Sequence, residues 1–285
     1  EIVCVDNFFT GSKQNIKHLL DNYYFDMIRH DITFPLYLEI DKIYNLACPA
    51  SPVHYQYDPV QTTKTSVHGS INMLGLAKRT KAKILLASTS EVYGDPAVHP
   101  QTEDYYGNVN PSGPRSCYDE SKRLCESLCM AYNRTYGLDL RIVRLFNTYG
   151  PRLRGDGNYG RALSRFIWQS INNQRITIWG NGKQTRSFCY ITDMINGLMG
   201  SLLVKKTKGE TINLGNPKET RIVDLANMVI KLTDSKSKVK YLPMPDNDPR
   251  RRLPKITKAR QIIGFNPRVK LNQGLSKTIE WQIDR

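Results

Sequence analysis

The sequence predicts an α/β protein with a parallel, doubly wound sheet and a second, smaller domain in its C-terminal half. Over the first 150 residues, short β-branched runs alternate with longer segments of helical periodicity. Such alternation favours parallel strands joined by crossover helices. Beyond residue 150 a glycine- and arginine-rich stretch at 151–160 interrupts the pattern, and shorter elements follow it. We therefore expect one domain in residues 1–150 and the other mainly in residues 151–285.

The candidate strands of the first half are short apolar runs, and the first of them ends in the loop signal Asp6-Asn7. Strands are predicted at residues 1–5, 26–29, 42–47, 83–88 and 140–146, and long helices at 60–80 and 116–136. In the second half, the periodicity predicts a helix at 162–171 and a strand at 176–179. It also predicts an amphipathic helix that begins near Ile222, with Thr220 as its N-cap.

The composition is that of a globular chain with a basic surplus. Apolar residues make up 40% of the 285 residues, and no apolar run approaches the roughly 18 residues of a membrane span. The net charge of +15 favours anionic partners such as phosphates, carboxylates or nucleic acid. The basic clusters, mostly in residues 201–285, are not interleaved with the aromatic side chains of a single-strand nucleic-acid binder. We expect no nucleic-acid partner and no membrane contact by this segment.

The cysteines and histidines argue against disulfides and metal. The six cysteines contain no C-x-x-C pair, and the five histidines show no metal-ligand spacing. We therefore expect free thiols and no bound metal. No charged segment followed by an apolar core stands at the N-terminus to signal secretion. These patterns favour a cytoplasmic protein, and they leave an upstream anchor or targeting segment open.

The strongest chemical signal is a Y-x-x-x-K motif, Tyr118 and Lys122, one turn apart on a predicted helix. By itself the motif is weak, because most such pairs are a surface tyrosine beside a solvated lysine. Its context is the hydroxyl-rich stretch S-T-S-E-V-Y-G at 88–94, which follows a predicted strand; ligands bind at the carboxyl ends of strands in open α/β sheets. A phenol titrates at about 10, so a tyrosine base needs a nearby cation, which Lys122 supplies. Thr89 is placed to hold a substrate hydroxyl.

An acidic residue follows the first predicted strand. Asp6 occupies the position at which a carboxylate of a dinucleotide-binding unit accepts a hydrogen bond from a ribose 2′-hydroxyl. The same carboxylate disfavours a 2′-phosphate. The sequence therefore favours NAD over NADP as the cofactor.

Five motifs occur in order along the chain. They are D-N-F-F-T-G at 6–11, the 88–94 stretch, Y-D-E-S-K at 118–122, R-L-F-N-T-Y-G-P-R at 144–152 and G-K-Q-T-R-S-F at 182–188. Together they resemble the UDP-glucuronic acid decarboxylases, or UDP-xylose synthases, of the extended short-chain dehydrogenase/reductase superfamily. The resemblance implies a Rossmann-type NAD-binding domain in residues 1–150, joined by later segments near 185–200, and a sugar-nucleotide-binding domain mainly in 151–285. It also implies a homodimer that packs through the Tyr118-bearing helix and the one before it.

The resemblance implies a reaction and the residues that carry it. The C4 hydroxyl of UDP-glucuronic acid is oxidised by NAD, the carboxylate β to the resulting ketone leaves as CO2, and C4 is re-reduced to give UDP-xylose. The implied catalytic residues are Tyr118, Lys122, Thr89, Ser90, Glu91 and Arg252. Of these, Glu91 and Arg252 are implied to assist the decarboxylation and the protonation at C5.

Further residues are implied to bind the cofactor or the substrate. The cofactor set is Asp6, Asn7, Phe9, Thr10, Gly11, Asp31, Ile32, Leu46, Thr65, Ala87, Tyr118, Lys122 and Thr148. The substrate set is Lys64, Asn72, Lys78, Arg79, Tyr132, Asn147, Arg161, Gln184, Arg186 and Arg252. Arginine suits a diphosphate because its fork donates two hydrogen bonds at once. Lys78 and Arg79 fit a solvated helix surface equally well.

The chain departs from the family pattern at its N-terminus. The glycine-rich turn between the first strand and the first helix is absent, and the sequence begins at what is the second strand of the family. In the strand order 3-2-1-4-5-6 the missing strand is central, so we expect a gap in the sheet. We also expect the chain to be a fragment that is inactive as it stands. Smaller departures are Cys48, where relatives often have serine, and Lys255, where an aspartate is common.

The residue at position 90 distinguishes the decarboxylases from related sugar-nucleotide enzymes. Sugar-nucleotide 4,6-dehydratases resemble this chain but usually carry an aspartate in place of Ser90, where it serves as the acid for loss of water. A serine there favours decarboxylation. The alternatives left open are another NAD-dependent sugar-nucleotide 4,6-dehydratase or C4 epimerase, and a catalytically silent sugar-nucleotide-binding protein.

Overall fold

The structure, a computed structural model, describes residues 1–155, 161–244 and 251–284. The elements of the first half are β1 (Ile2–Asp6), β2 (Phe25–Arg29), β3 (Lys42–Asn45), α1 (Pro52–Tyr57), α2 (Pro59–Thr80), β4 (Lys83–Thr89), α3 (Ser116–Tyr136) and β5 (Leu140–Leu145). The strands and the two long helices predicted for this half are confirmed, and their ends differ from the prediction by at most two residues.

The second half is built from shorter elements. They are β6 (Thr148–Tyr149), α4 (Ala162–Ile171), β7 (Ile176–Trp179), β8 (Thr185–Ser187), β9 (Cys189–Tyr190), α5 (Ile191–Leu203), β10 (Thr211–Leu214), β11 (Glu219–Arg221), α6 (Ile222–Leu232), β12 (Val239–Leu242), β13 (Arg251–Arg252), α7 (Thr257–Ile263) and α8 (Leu271–Ile283). The predicted helix at 162–171 and strand at 176–179 are confirmed. The N-cap prediction is wrong: Thr220 pairs with Arg186 in the sheet, so it stays extended and Arg221 caps α6. Of the stretch at 151–160, residues 156–160 lie outside the described residues.

The sheets of the first domain are parallel, as predicted. Strands β10, β5, β4 and β3 lie side by side in that order, and β1 pairs with β2 in a separate sheet. Every neighbouring pair in these two sheets is parallel. Among the described residues no strand joins β1 to β3, which is the gap expected from the sequence. Because β10 enters from the second half of the chain, the main sheet is not built from residues 1–150 alone.

Helices α2 and α3 cover one face of the four-stranded sheet. The side chains of this core include Met73, Leu74, Ala77, Ile84, Leu86, Cys125, Cys129, Leu140 and Ile142. Helix α2 begins at Asp58, whose carboxylate accepts the N–H of Gln61 at 2.8 Å, and it ends at Lys81 in the left-handed conformation, φ 59°. Its small residues allow close packing, since a Cβ at Gly69 would lie 2.5 Å from Ile32 Cδ1.

Helices α5 and α7 cover the opposite face. There Leu85 and Val143 of the sheet pack with Met194 and Leu202 of α5 and with Ala259 of α7. The central strands are therefore buried on both faces, which explains their continuous apolar runs. Helical layers on both sides of a parallel sheet confirm the doubly wound architecture.

A second core lies in the C-terminal half. Helices α4 and α6 pack on β7 through Phe166, Ile178 and Leu225. Strand β7 pairs in parallel with β12, and β8 lies between β11 and β13. The pairing of β13 with β8 sets Arg252 beside Arg186, so two arginines of the predicted site become neighbours.

Two expectations concern the chain as a whole. All six cysteines are free thiols, and Cys125, Cys129 and Cys189 are buried. Across the described ranges, no helix has both the length and the apolar character needed to cross a bilayer.

Candidate active site

A cavity of about 390 Å³ opens where β4 and β5 end. Because the two strands are parallel, their carboxyl ends meet at the same edge of the sheet, and the loops that leave them face one another. The cavity gathers many of the predicted residues. They are Thr10, Leu46, Ala87, Thr89, Ser90, Tyr118, Lys122, Thr148 and Arg161.

Tyr118 and Lys122 lie on the face of α3 that meets the sheet, and each residue is only 4% exposed. Lys122 Nζ donates a hydrogen bond to the carbonyl oxygen of Ala87 at 2.9 Å. The same nitrogen lies 6.0 Å from the centroid of the Tyr118 ring. The ammonium is thus anchored on β4, near the phenol that it is predicted to assist.

Tyr118 is a neutral phenol in the protein alone. Burial raises its pKa above the ordinary value, and Cys48 adds to the rise, whereas Arg161 and a hydrogen bond with Thr89 oppose it. Cys48 lines the same cavity, with its Sγ 3.0 Å from Ser66 Oγ. Use of Tyr118 as a base therefore requires additional positive charge beside it.

The hydroxyl-rich stretch continues from β4 into a single 3₁₀ turn, Ser90–Tyr93. Thr89 Oγ1 caps this turn by accepting the N–H of Glu91 at 3.2 Å. Ser90 is buried and lines the cavity together with Thr89 and Tyr118. The hydroxyls predicted to hold and orient the substrate therefore share a cavity with the phenol.

Glu91 lies between two arginines. Arg252 Nη1 donates to its Oε1, and Arg115 Nη2 donates to its Oε2. Burial favours the neutral acid, but the charges of Arg252, Arg115 and Arg161 outweigh burial and hold the pKa of Glu91 at about 2. Glu91 is therefore a carboxylate at neutral pH and acts as an acceptor rather than as a proton donor.

A second cavity, of about 170 Å³, adjoins the first, and the two share residues such as Thr148 and Arg161 in their walls. It collects the predicted substrate residues Asn147, Gln184, Arg186 and Arg252, together with the predicted catalytic residue Glu91. Arg252 is 3% exposed, and its Nη2 donates to the carbonyl oxygen of Gly94 at 3.1 Å. Its Nε is buried and has no hydrogen-bond partner among the described residues. A buried donor of this kind is available to an acceptor that enters the cavity.

The loop after β1 carries residues predicted to hold a ribose. Asp6 Oδ1 accepts the N–H of Phe8 at 2.7 Å, and this turn gives Phe8 a φ of 59°. Asn7 Nδ2 donates to Asp31 Oδ2 at 3.1 Å, which ties the loop to the end of β2. Phe9 is about half exposed beside this loop.

Three residues in the middle of α2 were predicted to bind the cofactor or the substrate. Among the described residues, they do not line either cavity. Lys64 is exposed, and Thr65 Oγ1 donates to the carbonyl oxygen of Gln61 in its own helix at 2.9 Å. Asn72 Nδ2 donates to the carbonyl oxygen of Ile32 at 2.8 Å. Asn72 and Ile32 therefore hold the loop after β2 against α2.

Three further members of the substrate set lie far along the helices. Lys78 Nζ is 3.6 Å from the centroid of the Tyr136 ring, and Arg79 forms an exposed ion pair with Glu39 at 2.6 Å. Tyr132 packs against the core beneath α3. The structure does not bring these three to the walls of either cavity, and Lys78 and Arg79 occupy the helix surface that the sequence allowed as their alternative.

Sequence reasoning missed residues that the fold brings to the site. Tyr55 of α1 is buried and stacks on Tyr118, with 5.0 Å between ring centroids and 6° between the planes. Arg115 contacts Glu91, and Asp119 follows Tyr118 directly. Burial and the charge of Glu91 raise the pKa of Asp119 to about 7. Nothing local marks Tyr55, whereas Arg115 lies three residues before the Y-x-x-x-K motif and Asp119 lies within it, so the motif could have pointed to both.

Comparison with known proteins agrees with this geometry. The family model described as GDP-mannose 4,6 dehydratase matches residues 10–278. UDP-glucuronic acid decarboxylase 1 of Danio rerio is 49% identical over 281 residues, which cover 99% of this chain and 66% of the zebrafish protein. UDP-glucuronic acid decarboxylase 6 of Arabidopsis thaliana is 52% identical over 275 residues, 96% of this chain and 79% of that protein. The solved UDP-glucuronic acid 4-epimerase from Bacillus cereus, in complex with UDP-glucuronic acid and NAD, matches with a TM-score of 0.89 at 30% identity, over 100% of this chain and 91% of its own.

A parallel sheet covered by helices on both faces, with the Tyr118 and Lys122 pair beside hydroxyls at the end of β4, defines an extended short-chain dehydrogenase/reductase. The similarity to the curated relatives shows which family within this class the chain belongs to. The chain belongs to the UDP-glucuronic acid decarboxylase family. The family prediction made from the five motifs is confirmed.

Proposed function

We propose that this site converts UDP-glucuronic acid to UDP-xylose and CO2, with NAD as its cofactor. The observation that best supports this proposal is the buried ion pair of Glu91 with Arg252, in the cavity that adjoins Tyr118. In the substrate, the carboxylate is attached to C5, next to C4. A sugar whose C4 hydroxyl reaches Tyr118 therefore brings its carboxylate close to this ion pair. The names of relatives at about half identity support the proposal, and it concerns the whole protein, since the chain spans 66% of the zebrafish relative.

The described residues fit NAD at two of its parts. A Cβ at Gly11 would lie 3.1 Å from Asp6 Oδ2, so the glycine keeps space beside the carboxylate that a ribose hydroxyl approaches. Lys122 and Tyr118 line the first cavity, and so does Thr10, which precedes Gly11. The 285 residues contain no glycine-rich turn of the kind that receives a pyrophosphate. When bound, NAD takes up the hydride from C4 and returns it after CO2 has left.

The second cavity suits the nucleotide part of a UDP-sugar. Arg161 and Arg186 supply guanidinium groups for a diphosphate. The guanidinium of Arg165 lies 4.2 Å from the centroid of the Trp179 ring, which makes a flat wall for a base. Gln184 Nε2 donates to the carbonyl oxygen of Trp179 at 2.6 Å and so lies at the same wall. We assign the diphosphate to the arginines and the base to this wall.

The residues of the first cavity then perform the proton transfers. Tyr118 accepts the proton of the C4 hydroxyl, and Thr89 orients that hydroxyl. The C4 ketone is β to the C5 carboxylate, so the electrons of the breaking C5–carboxylate bond pass into the ketone, an enolate forms, and CO2 leaves. Arg252 orients the carboxylate before it leaves, and Glu91 orients Arg252. C5 then takes a proton from solvent, and the proton on Tyr118 returns to the C4 oxygen as C4 is re-reduced, which completes UDP-xylose.

Product analysis tests the proposal. The chain as given and an extended form, preceded by the strand and glycine-rich turn of the family pattern, are incubated with UDP-glucuronic acid and NAD. CO2 and UDP-xylose are followed by mass spectrometry. Formation of both by the extended form supports decarboxylation. A 4-epimer or a dehydrated product without CO2 identifies one of the alternative enzymes, and binding of the UDP-sugar with no product in either form contradicts the proposal in favour of a silent binding protein.

We also propose that two copies associate through α2 and α3. Both helices carry large apolar side chains at the surface, among them Ile71 of α2 and Leu124 of α3. Light scattering after size-exclusion chromatography measures the mass in solution. A dimer that becomes a monomer on the double change of Ile71 and Leu124 to lysine supports this interface, and a wild-type monomer contradicts it.

The free thiols suit a reducing compartment, and we propose the cytoplasm as the location. Fractionation of source cells with detection of the endogenous protein tests this assignment. Recovery in a secretory compartment contradicts it.

A further inference from the structure

Arg115 lies at the start of α3, three residues before Tyr118, where the helix fixes its backbone. Its carbonyl oxygen accepts the N–H groups of Tyr118 and Asp119, each at 3.0 Å. Its side chain is largely buried and lines the second cavity. The same few residues that place the Tyr118 phenol therefore also place this guanidinium.

The Arg115 guanidinium contacts both carboxyl groups of the site. Its Nη2 donates to Glu91 Oε2, and its Nε lies 3.7 Å from Asp119 Oδ2. From β13, Arg252 donates to the other oxygen of Glu91. Each oxygen of Glu91 thus has its own arginine, and the carboxylate cannot rotate without losing a charge-assisted hydrogen bond. Because Glu91 also holds Arg252, loss of Arg115 loosens Arg252 as well.

Charged and titratable groups from several elements surround Glu91 and Asp119. They are Tyr118, Asp119 and Glu120 of α3, Arg115 at its N-cap, Arg252 of β13, Arg161 before α4, and Tyr55 of α1. Burial raises the pKa values of Glu91 and Asp119, and Arg115 lowers both. The two carboxyl groups also oppose each other's ionisation, so removal of Arg115 favours their protonation.

We propose that Arg115 is a positioning residue for the reaction: it holds the Glu91 carboxylate on Arg252 and places a positive charge between Glu91 and Asp119. The proposal rests on the function proposed above, because the step that it serves is loss of the substrate carboxylate. Arg115 acts through Glu91. Its effect therefore appears in the rate and in the pH dependence more than in substrate binding.

The kinetic test compares Arg115→Met and Arg115→Lys in the extended form, with CO2 release measured between about pH 5 and pH 9. Arg115→Met is expected to lower kcat about ten- to hundredfold, with KM for UDP-glucuronic acid changed less than about threefold. The acid limb of its pH profile is expected to move to higher pH. Arg115→Lys restores part of the rate, because it returns the charge without the fork. Arg221→Met is the matched control, since Arg221 forms an exposed ion pair with Asp224 on α6.

A second measurement does not depend on turnover. Carboxyl ¹³C NMR titration of the labelled protein is expected to show a higher apparent pKa for Asp119 in Arg115→Met than in wild type or Arg221→Met. Thermal melting checks that each variant is folded. If Arg115→Met is unfolded, the pH-rate profile and the carboxyl titration are measured on Arg115→Lys instead.

The proposal is overturned by a wild-type rate in Arg115→Met. It is also overturned by a lost rate with an unchanged acid limb and an unchanged carboxyl titration, which would mark Arg115 as merely structural. Failure of the proposed function looks different, because the wild-type extended form itself would then release no CO2. In that case the carboxyl NMR titration alone shows whether Arg115 affects the protonation of Glu91 and Asp119.

Discussion

The two parallel sheets of the N-terminal domain have the same strand pattern in the sequence, but they differ in how deeply their strands are buried. Both contain short β-branched strands, yet Leu85 in β4 is 0% exposed whereas Ile2 in β1 is 64% exposed. The four-stranded sheet has helices on both faces, and β1 pairs only with β2 among the described residues. A strand pattern therefore predicts backbone conformation, whereas burial depends on the layers that cover the strand.

The difference also divides the proposed site. Tyr118, Lys122 and Thr89 belong to the well-covered sheet and its helix α3, whereas Asp6 ends the exposed strand β1. The side chains to which we assign the proton transfers are thus held by a close-packed core. The carboxylate assigned to the cofactor ribose depends on a loop held by a few hydrogen bonds.

The largest expected effect is on activity at the covered sheet. Tyr118→Phe removes the proton acceptor, so CO2 release by the extended form is expected to fall about a thousandfold with the fold intact. Tyr136→Phe is the control, because Tyr136 lies on the same helix at the surface. Circular dichroism and initial rates measure fold and activity. A Tyr118→Phe rate within a few fold of wild type contradicts the role of this residue.

Core truncation contrasts the stability of the two sheets. Leu85→Ala is expected to lower the free energy of unfolding by about 3 kcal/mol, since Leu85 is packed on all sides. Val3→Ala in β1 is expected to cost less than about 1 kcal/mol, because Val3 is partly exposed. Urea denaturation of both variants measures the difference. Equal losses would show that β1 contributes as much to the cooperative unit as β4 does.

The carboxylate at the end of β1 is expected to have a moderate effect on binding. Asp6→Asn should weaken NAD binding by the extended form about tenfold, because a charged acceptor for the ribose hydroxyls is lost. The affinity for NADP should change less, so the preference for NAD over NADP becomes smaller. Isothermal calorimetry with both cofactors measures this, and Asp26→Asn, an exposed change on β2, is the control. Unchanged NAD affinity would remove Asp6 from the cofactor site.

Two carboxyl groups are expected to contribute to stability with opposite dependence on pH. Burial and Glu91 raise the pKa of Asp119 from 3.8 to about 7, so the native state binds this proton more tightly than the unfolded state, and stability falls as pH rises through that window. At Asp31, hydrogen bonds from Thr33 and Asn7 outweigh burial and lower the pKa. Its contribution is present above the ordinary value and is lost as pH falls through the lowered one.

Thermal melts against pH should separate the two groups. Asp119→Asn is expected to flatten the stability profile between about pH 4 and pH 7, and Asp31→Asn only below about pH 4. Identical profiles for the two variants would contradict this difference between the regions.

Prediction from sequence succeeded where local order is enough. The spacing of apolar residues in α2 and α3 predicts both helices, because a helix repeats its face every 3.6 residues. It failed at Thr220, where pairing with Arg186 across the sheet outweighs the preference of threonine for an N-cap. Likewise, the return of β10 to the main sheet leaves no local mark in residues 211–214.

The sequence by itself determined the strands and the two long helices of the first half, the one-turn spacing of Tyr118 and Lys122, and the family. These depend on short-range geometry and on motifs that are contiguous in the chain. Only the tertiary structure decided that Arg252 meets Glu91, 161 residues away, and that Tyr55 stacks on Tyr118. Such contacts depend on how β13 pairs with β8 and how α1 packs on α3, and no periodicity within either segment specifies them.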